Sequence, residues 1–279
     1  MFKHKSAEIF IPDEQPVEAA LKRTTHLGIG AHQDDLEIMA FDGIIKCFQQ
    51  NDQWFCGTVV TNGSGSPRDD IYADYSDDEM VEVRIQEQKK AAYIGEFGSQ
   101  VFLAHPSSSV KNQANQDVTD DLIALLRITQ PGAVYTHNLA DKHDTHIAVA
   151  RRVINAIRSF SINERPTKLY GCEVWRDLDW MVDEDKVVFD LSKHENLQTA
   201  LLSIFDSQIC GGKRYDLATM GRRRAHATYF ESHGVDTSTG ISFAMDLTPL
   251  IEDNEKNIQD YLTGHIDRFK QDVLDRLIK

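Results

Sequence analysis

Four times between residues 26 and 160 a short apolar run is followed by a helical pattern, and this alternation constrains the fold more than any other feature of the chain. The apolar runs cover 26–31, 54–61, 101–103 and 133–137; the helical patterns cover 36–50, 79–93, 118–129 and 145–160. Strands that alternate with helices make βαβ units, and such units make a parallel sheet with helices on its faces. The expectation is an α/β, Rossmann-like, mostly parallel sheet flanked by helices. After residue 160 the rhythm changes: 169–175, 187–191 and 241–247 read as strands, 197–205 and 215–230 as helices. No Pro-, Gly- or Ser-rich linker marks a boundary, so a single domain is expected over 1–279, with a core at about 24–175 and an elaborated C-terminal third at about 176–279. Near the end, Ile251, Ile258, Leu262, Ile266, Phe269, Val273 and Leu277 form one apolar stripe. That stripe predicts a helix that packs on the body or on a partner subunit, a homo-oligomer being the second way to cover it.

Charge and cysteine usage remove several function classes. A formal charge of −14 argues against nucleic acid or an anionic membrane as the main partner, because phosphate binding needs a basic field. No apolar run suits a signal peptide or approaches the ~18 residues of a membrane span. Cys47, Cys56, Cys172 and Cys210 are far apart and form no C-x-x-C pair, which suggests a reducing compartment. A cytoplasmic protein acting on a small molecule is expected.

Ligands of open parallel sheets sit beyond the carboxyl ends of the strands, so the residues after each strand matter most. His32-Gln33-Asp34-Asp35-Leu36-Glu37 follows the first strand; His137, Asp141, His143, Asp144 and His146 follow the fourth. Imidazoles and carboxylates without sulfur are the donor set of a divalent first-row metal. His32 and Asp35 are three apart at the start of a helix, as are His143 and His146, so each pair can aim at one point. Three protein ligands with an open position suit a catalytic zinc, whose water needs a base and whose oxyanion needs a stabiliser. Asp34 suits the base, and the spare histidine of the second pair suits the acid. The plainer reading makes the acidic residues helix caps and the histidines surface groups. A nucleotide-binding module is the reading from another class: Gly28-Ile29-Gly30 ends a strand. Its third glycine is absent, and Asp34 and Asp35 would repel a pyrophosphate.

Ala31-His32-Gln33-Asp34-Asp35-Leu36-Glu37 resembles the Ala-His-Pro-Asp-Asp-x-Glu signature of the PIG-L/LmbE-like zinc deacetylases, which remove acetyl from N-acetylglucosamine-containing substrates. Val60-Thr61-Asn62-Gly63 resembles that family's second strand, Arg84-Ile85-Gln86-Glu87 its Arg-x-x-Glu helix, and Asp141-Lys142-His143-Asp144-Thr145-His146 its Asp-x-His-x-Asp-His segment. The resemblance implies that His32, Asp35 and His146 hold Zn2+, or another divalent first-row metal, with Asp34 as general base. His143 would stabilise the tetrahedral intermediate or protonate the leaving amine. Arg84 and Asp141 would contact an acetamido-sugar substrate, although Arg84 is also spaced for an ion pair with Glu87. An amidase cleaving a larger acyl group and a sugar-binding module without hydrolysis are the alternatives. The chain departs from the pattern at Gln33, where the family has proline, and at Thr145, where it has the aspartate that orients the catalytic histidine. His143 should therefore titrate lower unless Asp141 or Asp144 substitutes. His105 follows the third strand where the family carries an acidic residue. Trp175 and Trp180 read as a sugar-stacking wall or as core. Arg222-Arg223-Arg224 reads as an anion contact or, more simply, as a solvated or subunit-facing helix face.

Overall fold

The structure is a computed structural model that describes residues 2–278. Its strands are β1 (Glu8–Phe10), β2 (His26–Gly30), β3 (Phe55–Thr61), β4 (Ser99–His105), β5 (Ala133–His137), β6 (Lys168–Cys172), β7 (Lys186–Asp190) and β8 (Ile241–Asp246). The first helices are α1 (Val17–Lys22), α2 (Asp35–Met39), α3 (Phe41–Cys47), α4 (Asp77–Ile94), α5 (Ser107–Lys111) and α6 (Asp117–Thr129). They are followed by α7 (Asp144–Arg158), α8 (Glu195–Leu202), α9 (Asp206–Ile209), α10 (Tyr215–Tyr229), α11 (Thr248–Glu252) and α12 (Ile258–Ile278).

The strands form one sheet in the order β1-β4-β3-β2-β5-β6-β8-β7. From β4 to β6 the neighbours are parallel. At the edges β1 runs antiparallel to β4, β8 to β6 and β7 to β8. The mostly parallel α/β sheet expected from the sequence is the one observed. Strands inside such a sheet are covered on both faces, and β3 and β4 are buried at every position. Successive side chains of β3 feed opposite cores. Phe55 and Val59 pack with α2, α3 and α8, whereas Cys56 and Val60 pack with α6 and α7. Among the described residues no helix is long and apolar enough to cross a membrane.

Three expected elements end differently, each for a visible reason. The helix expected over 36–50 breaks at Ala40 into α2 and α3. After the break Gly43 rides on the Tyr135 ring, where a Cβ would stand 2.7 Å from Cε2, and the Tyr135 hydroxyl donates to Asp42 at 2.8 Å. The strand expected over 169–175 stops at Cys172. The buried Glu173 carboxylate accepts the N–H groups of Leu178 at 2.6 Å and Phe243 at 2.9 Å, and so folds the next residues into a loop. The C-terminal stripe is divided: Ile251 belongs to α11, and only Ile258 and Leu262 of α12 pack on the core, while Ile266, Phe269, Val273 and Leu277 are exposed.

Candidate active site

Strand order reverses on either side of β2, with β3 on one flank and β5 on the other, so the crevice beyond the carboxyl ends of β2 and β5 is the switch point where such sheets bind ligands. Both histidine–carboxylate clusters lie there. The chain leaves β2 at Gly30, where a Cβ would stand 3.0 Å from that of Asp35, so glycine lets the first residue of α2 approach the strand. The glycines of β2 thus serve packing rather than a phosphate loop. Asp34 takes a left-handed conformation with φ of 89°, a strained choice for a non-glycine residue. The effect of this turn is to send two adjacent carboxylates in different directions.

Asp35 turns inward. Its Oδ2 accepts the His32 backbone N–H at 2.7 Å and lies 3.4 Å from His32 Nδ1, while its Oδ1 lies 3.5 Å from His146 Nε2. His32 Nδ1 and His146 Nε2 are themselves 3.2 Å apart. Donors about 2.1 Å from a tetrahedral ion stand about 3.4 Å from one another. The three donors therefore already have the spacing that such an ion requires, and their nitrogen and oxygen chemistry suits a divalent cation. Burial would raise the Asp35 carboxyl, but the surrounding imidazoles of His146, His137 and His32 hold it well below its ordinary range.

His146 is wholly buried in the first turn of α7 and is gripped from behind: its Nδ1 lies 3.3 Å from Asp141 Oδ2. Burial pushes His146 down to about 4, which keeps its ring neutral as a ligand must be. Asp141 also accepts the backbone N–H groups of His143 and Trp175, at 3.0 and 3.2 Å. Buried and supplied with these protein partners, Asp141 sits behind the cluster rather than in the place of a substrate contact. His137, His146 and Asp141 also lie close enough to form a donor triad. However, His137 Nε2 accepts the Ala31 N–H at 2.8 Å, and its ring stacks on His146 at 3.8 Å, so it supports the cluster.

Asp34 faces a cavity of about 530 Å³ together with His32, Arg84 and His143. Burial pushes the Asp34 carboxyl well up; Arg84 opposes this and Asp35 adds to it. Two neighbouring carboxylates are thus driven apart in proton affinity. Arg84 is 3% exposed and forms no ion pair with Glu87, which instead accepts from Ser207. The guanidinium donates to the carbonyls of Gln33 at 2.7 Å and Gly63 at 3.2 Å, and lies 3.9 Å from Asp34 Oδ1. It thereby braces the strained turn as well as facing the cavity. Gln88, which sequence reasoning missed, accepts the Asp34 N–H at 3.3 Å and donates to Glu37 at 2.8 Å. Its place one helical turn after Arg84 was the available signal.

His143 caps α7 and faces the cavity, stacked on His146 at 4.5 Å. Burial and the neighbouring His32 push it down, and its Nδ1 is buried without a partner. Thr145 is in the cavity wall, and Asp141 bonds the His143 backbone rather than its ring, so neither restores the missing aspartate. His105 is turned away and pairs with Asp121 at 2.8 Å. Trp175 faces the cavity, whereas Trp180 packs toward Phe269. The three arginines of α10 all donate to backbone carbonyls: Arg222 to Val174 and Trp175, Arg223 to Glu37 and Ile38, Arg224 to Thr239.

A family model described as PIG-L, GlcNAc-PI de-N-acetylase, matches residues 27–157. Among solved structures, GalB, the 4-carboxy-2-hydroxymuconate hydratase of Pseudomonas putida KT2440, has a TM-score of 0.60 at 12% identity, covering 80% of this chain and 95% of its own. The N,N'-diacetylchitobiose deacetylase of Pyrococcus horikoshii has a TM-score of 0.59 at 17% identity, covering 79% and 83%. The A40926 pseudoaglycone deacetylase Dbv21 has a TM-score of 0.58 at 14% identity, covering 80% and 97%. These likenesses are likenesses of fold. The match to the PIG-L family model spans the part of the chain that carries both histidine–carboxylate clusters.

Proposed function

We propose that the protein is a metal-dependent hydrolase that removes an N-acetyl group from an N-acetylglucosamine-type sugar or conjugate. The observation that carries this reading is the trio His32 Nδ1, Asp35 carboxylate and His146 Nε2 at mutual distances of 3.2–3.5 Å, with the separate carboxylate of Asp34 at the same cavity. The family's description as a de-N-acetylase and the names of two structural neighbours favour an acetamido substrate. His32, Asp35 and His146 would hold the ion, zinc being the first candidate. Such an ion supplies Lewis acidity, polarising a carbonyl and making a nearby water more acidic.

The protein's own groups do the rest. Asp34, its proton affinity raised by burial, takes a proton from the attacking water at a carboxylate oxygen. The water oxygen bonds to the amide carbon, the carbon–nitrogen bond breaks, and the proton held by Asp34 passes to the amine nitrogen. His143, neutral because burial lowers it, offers an N–H to the developing oxyanion. Arg84 keeps Asp34 aimed at the cavity. GalB is named a hydratase, so the fold alone does not choose between electrophiles. A separate proton carrier beside an oxyanion donor is what amide cleavage needs, because the amine must leave protonated.

The test is metal analysis with an acetate-release assay on N-acetylglucosamine glycosides. We expect about one divalent ion per chain, loss of that ion in His32→Ala and His146→Ala, and acetate from the loaded protein only. A chain that takes up no metal when zinc is supplied would refute the proposal.

A further inference from the structure

We infer that residues 64–75 are a hinged flap beside the cavity that Asp34 faces, latched shut by one hydrogen bond from Tyr72 to Asp206, and that the flap opens to admit ligand. The flap stands apart from the hydrolase reading, which supplies only the identity of what enters. Residues 62–76 join β3 to α4. A βα connection usually takes about 2–6 residues, and a much longer one with little structure of its own commonly serves as a lid or a binding loop. Here the stretch has a single 3-10 turn, Asp70–Tyr72, and puts Gly65, Ser66 and Pro67 in the cavity wall.

The flap is pinned at its ends and nearly free between them. At one end Gly63 takes a φ of 75°, a conformation that glycine adopts without strain, and its carbonyl accepts from Arg84 at 3.2 Å. At the other end Ser76 and Glu79 close the capping box that starts α4. Between them, Arg68 bonds the Ser64 carbonyl and Asp77, both inside the same stretch or at its edge. Among residues 64–75 only Tyr72 is buried, and Ile71 is 65% exposed. Among the described residues, a single hydrogen bond ties 64–75 to anything outside 62–79: the Tyr72 hydroxyl donates to Asp206 Oδ2 at 2.7 Å. A segment with so few buried contacts and tertiary bonds opens at the low end of the stability range.

The post on which the flap closes is fixed. It is α9 and the turn after it, and Ser207 anchors it: the Ser207 N–H and hydroxyl donate to the buried Glu87 carboxylate of α4 at 2.7 and 2.6 Å. At Gly211 a Cβ would stand 2.2 Å from the Ser207 carbonyl oxygen and 3.2 Å from Tyr72 Cδ2, so glycine lets the chain turn back under the Tyr72 ring. At Gly212 a Cβ would stand 3.5 Å from that of Pro67, which is the second point of contact between flap and post. The post puts Gln208 and Lys213 in the cavity wall, so that wall runs across the seam. Breaking one hydrogen bond and one small apolar contact opens the seam, and closing it shields the cavity from water.

The first arm of the test needs neither metal nor turnover. Hydrogen exchange of the 64–75 amides is compared between the unsubstituted chain and Tyr72→Phe, which removes the latch hydroxyl and keeps the ring. Cavity access is read by adding Thr145→Cys to both, which puts a thiol in the cavity wall, with Cys210→Ser removing the exposed cysteine. Labelling of residue 145 by N-phenylmaleimide is followed by peptide mass on chains freed of metal by a chelator. We expect Tyr72→Phe to raise both rates about tenfold, the worth of one hydrogen bond, while exchange in β3 and α4 stays as it was. A flap that exchanges no faster, labelling that does not follow the exchange, or an increase shared by β3 would overturn the inference.

The second arm holds the flap shut. Pro67→Cys with Gly212→Cys, again with Cys210→Ser, sets two Cβ atoms at the separation of a disulfide. The oxidised, zinc-loaded chain should release acetate from N-acetylglucosamine glycosides about tenfold more slowly than the same chain after reduction by a phosphine. Equal rates in the two states would overturn the gate. Acetate from neither state removes the hydrolase reading, and exchange and labelling then decide the flap.

Discussion

Asp34 and Asp35 are adjacent in sequence and identical in chemistry but meet different surroundings, and the left-handed backbone at Asp34 separates them. Asp35 meets three imidazoles, whereas Asp34 meets one guanidinium and the cavity. This makes the proposed roles separable. Asp34→Asn should retain the ion while losing about 10²–10⁴ of the rate, as expected for a lost general base. Asp141→Asn should do nearly the reverse. Its carboxylate orients His146 from behind, so metal affinity should fall about 10–100-fold while a fully loaded sample recovers much of its activity. Metal titration followed by an assay at saturating metal distinguishes the two; loss of the ion from Asp34→Asn would reverse the assignment. The two carboxylates and the histidines were legible in sequence because residue type and position after a strand are both written there. The direction of Asp141 was not, because it depends on Trp175, a residue 34 positions away whose N–H comes to meet it.

At the scale of elements, α10 ties the C-terminal third to the crevice that holds the histidine–carboxylate cluster. Arg223 is buried and donates to the carbonyls of Glu37 and Ile38 in α2 and to Gln198 in α8. Arg223→Leu would leave these acceptors without partners, at about 1–3 kcal/mol for each buried unsatisfied group. A total loss on the order of 3 kcal/mol should appear as a lowered urea midpoint with unchanged slope, and a shift below about 0.5 kcal/mol would show that the latch carries no load. The run of three arginines looked like an anion site or a solvated face because sequence shows charge but not the carbonyls opposite. Glu173 permits a test by pH. Burial raises its carboxyl to about 7 despite the N–H groups of Phe243 and Leu178. Between about 4.5 and 7 the folded chain keeps a proton that the unfolded chain releases, so this group's contribution to stability falls as pH rises through that window. The wild type should lose up to about 3 kcal/mol relative to Glu173→Gln from pH 4.5 to 8, at roughly 1.4 kcal/mol per unit. Parallel stability curves for the two proteins would contradict the buried charge. Other element boundaries were readable but overlooked: Ser76 and Glu79 form a capping box at 2.8 and 3.3 Å, and this Ser-x-x-Glu spacing places the start of α4 ahead of residue 79.

At the scale of the whole molecule, the order of the sheet does what no single motif does: it brings residues 32–35 and 137–146 together across β2 and β5. The βα rhythm made this legible, since consecutive parallel strands must be joined by covering helices. The edges were harder, because β1 has only three residues and runs antiparallel to β4, and β8 reverses direction between β6 and β7, so the repeating period is lost there. The C-terminal stripe marks a further limit of pattern reading, because periodicity says that a face is apolar but not what covers it. The body anchors the start of α12 through Tyr261, whose hydroxyl donates to the Asp246 carbonyl, and through the buried His265, 3.1 Å from Asp185. Beyond Phe269, Val273 is 40% exposed and Leu277 78%. Little burial is therefore lost when residues 270–279 are removed. For a chain of this size 1 kcal/mol corresponds to roughly 2–4 °C, so the truncated protein should melt within about 2 °C of the full chain and keep the same number of copies per particle in solution. A larger drop accompanied by a halved mass would mean that a second copy covers the stripe, and the far end of α12 would then belong to an interface.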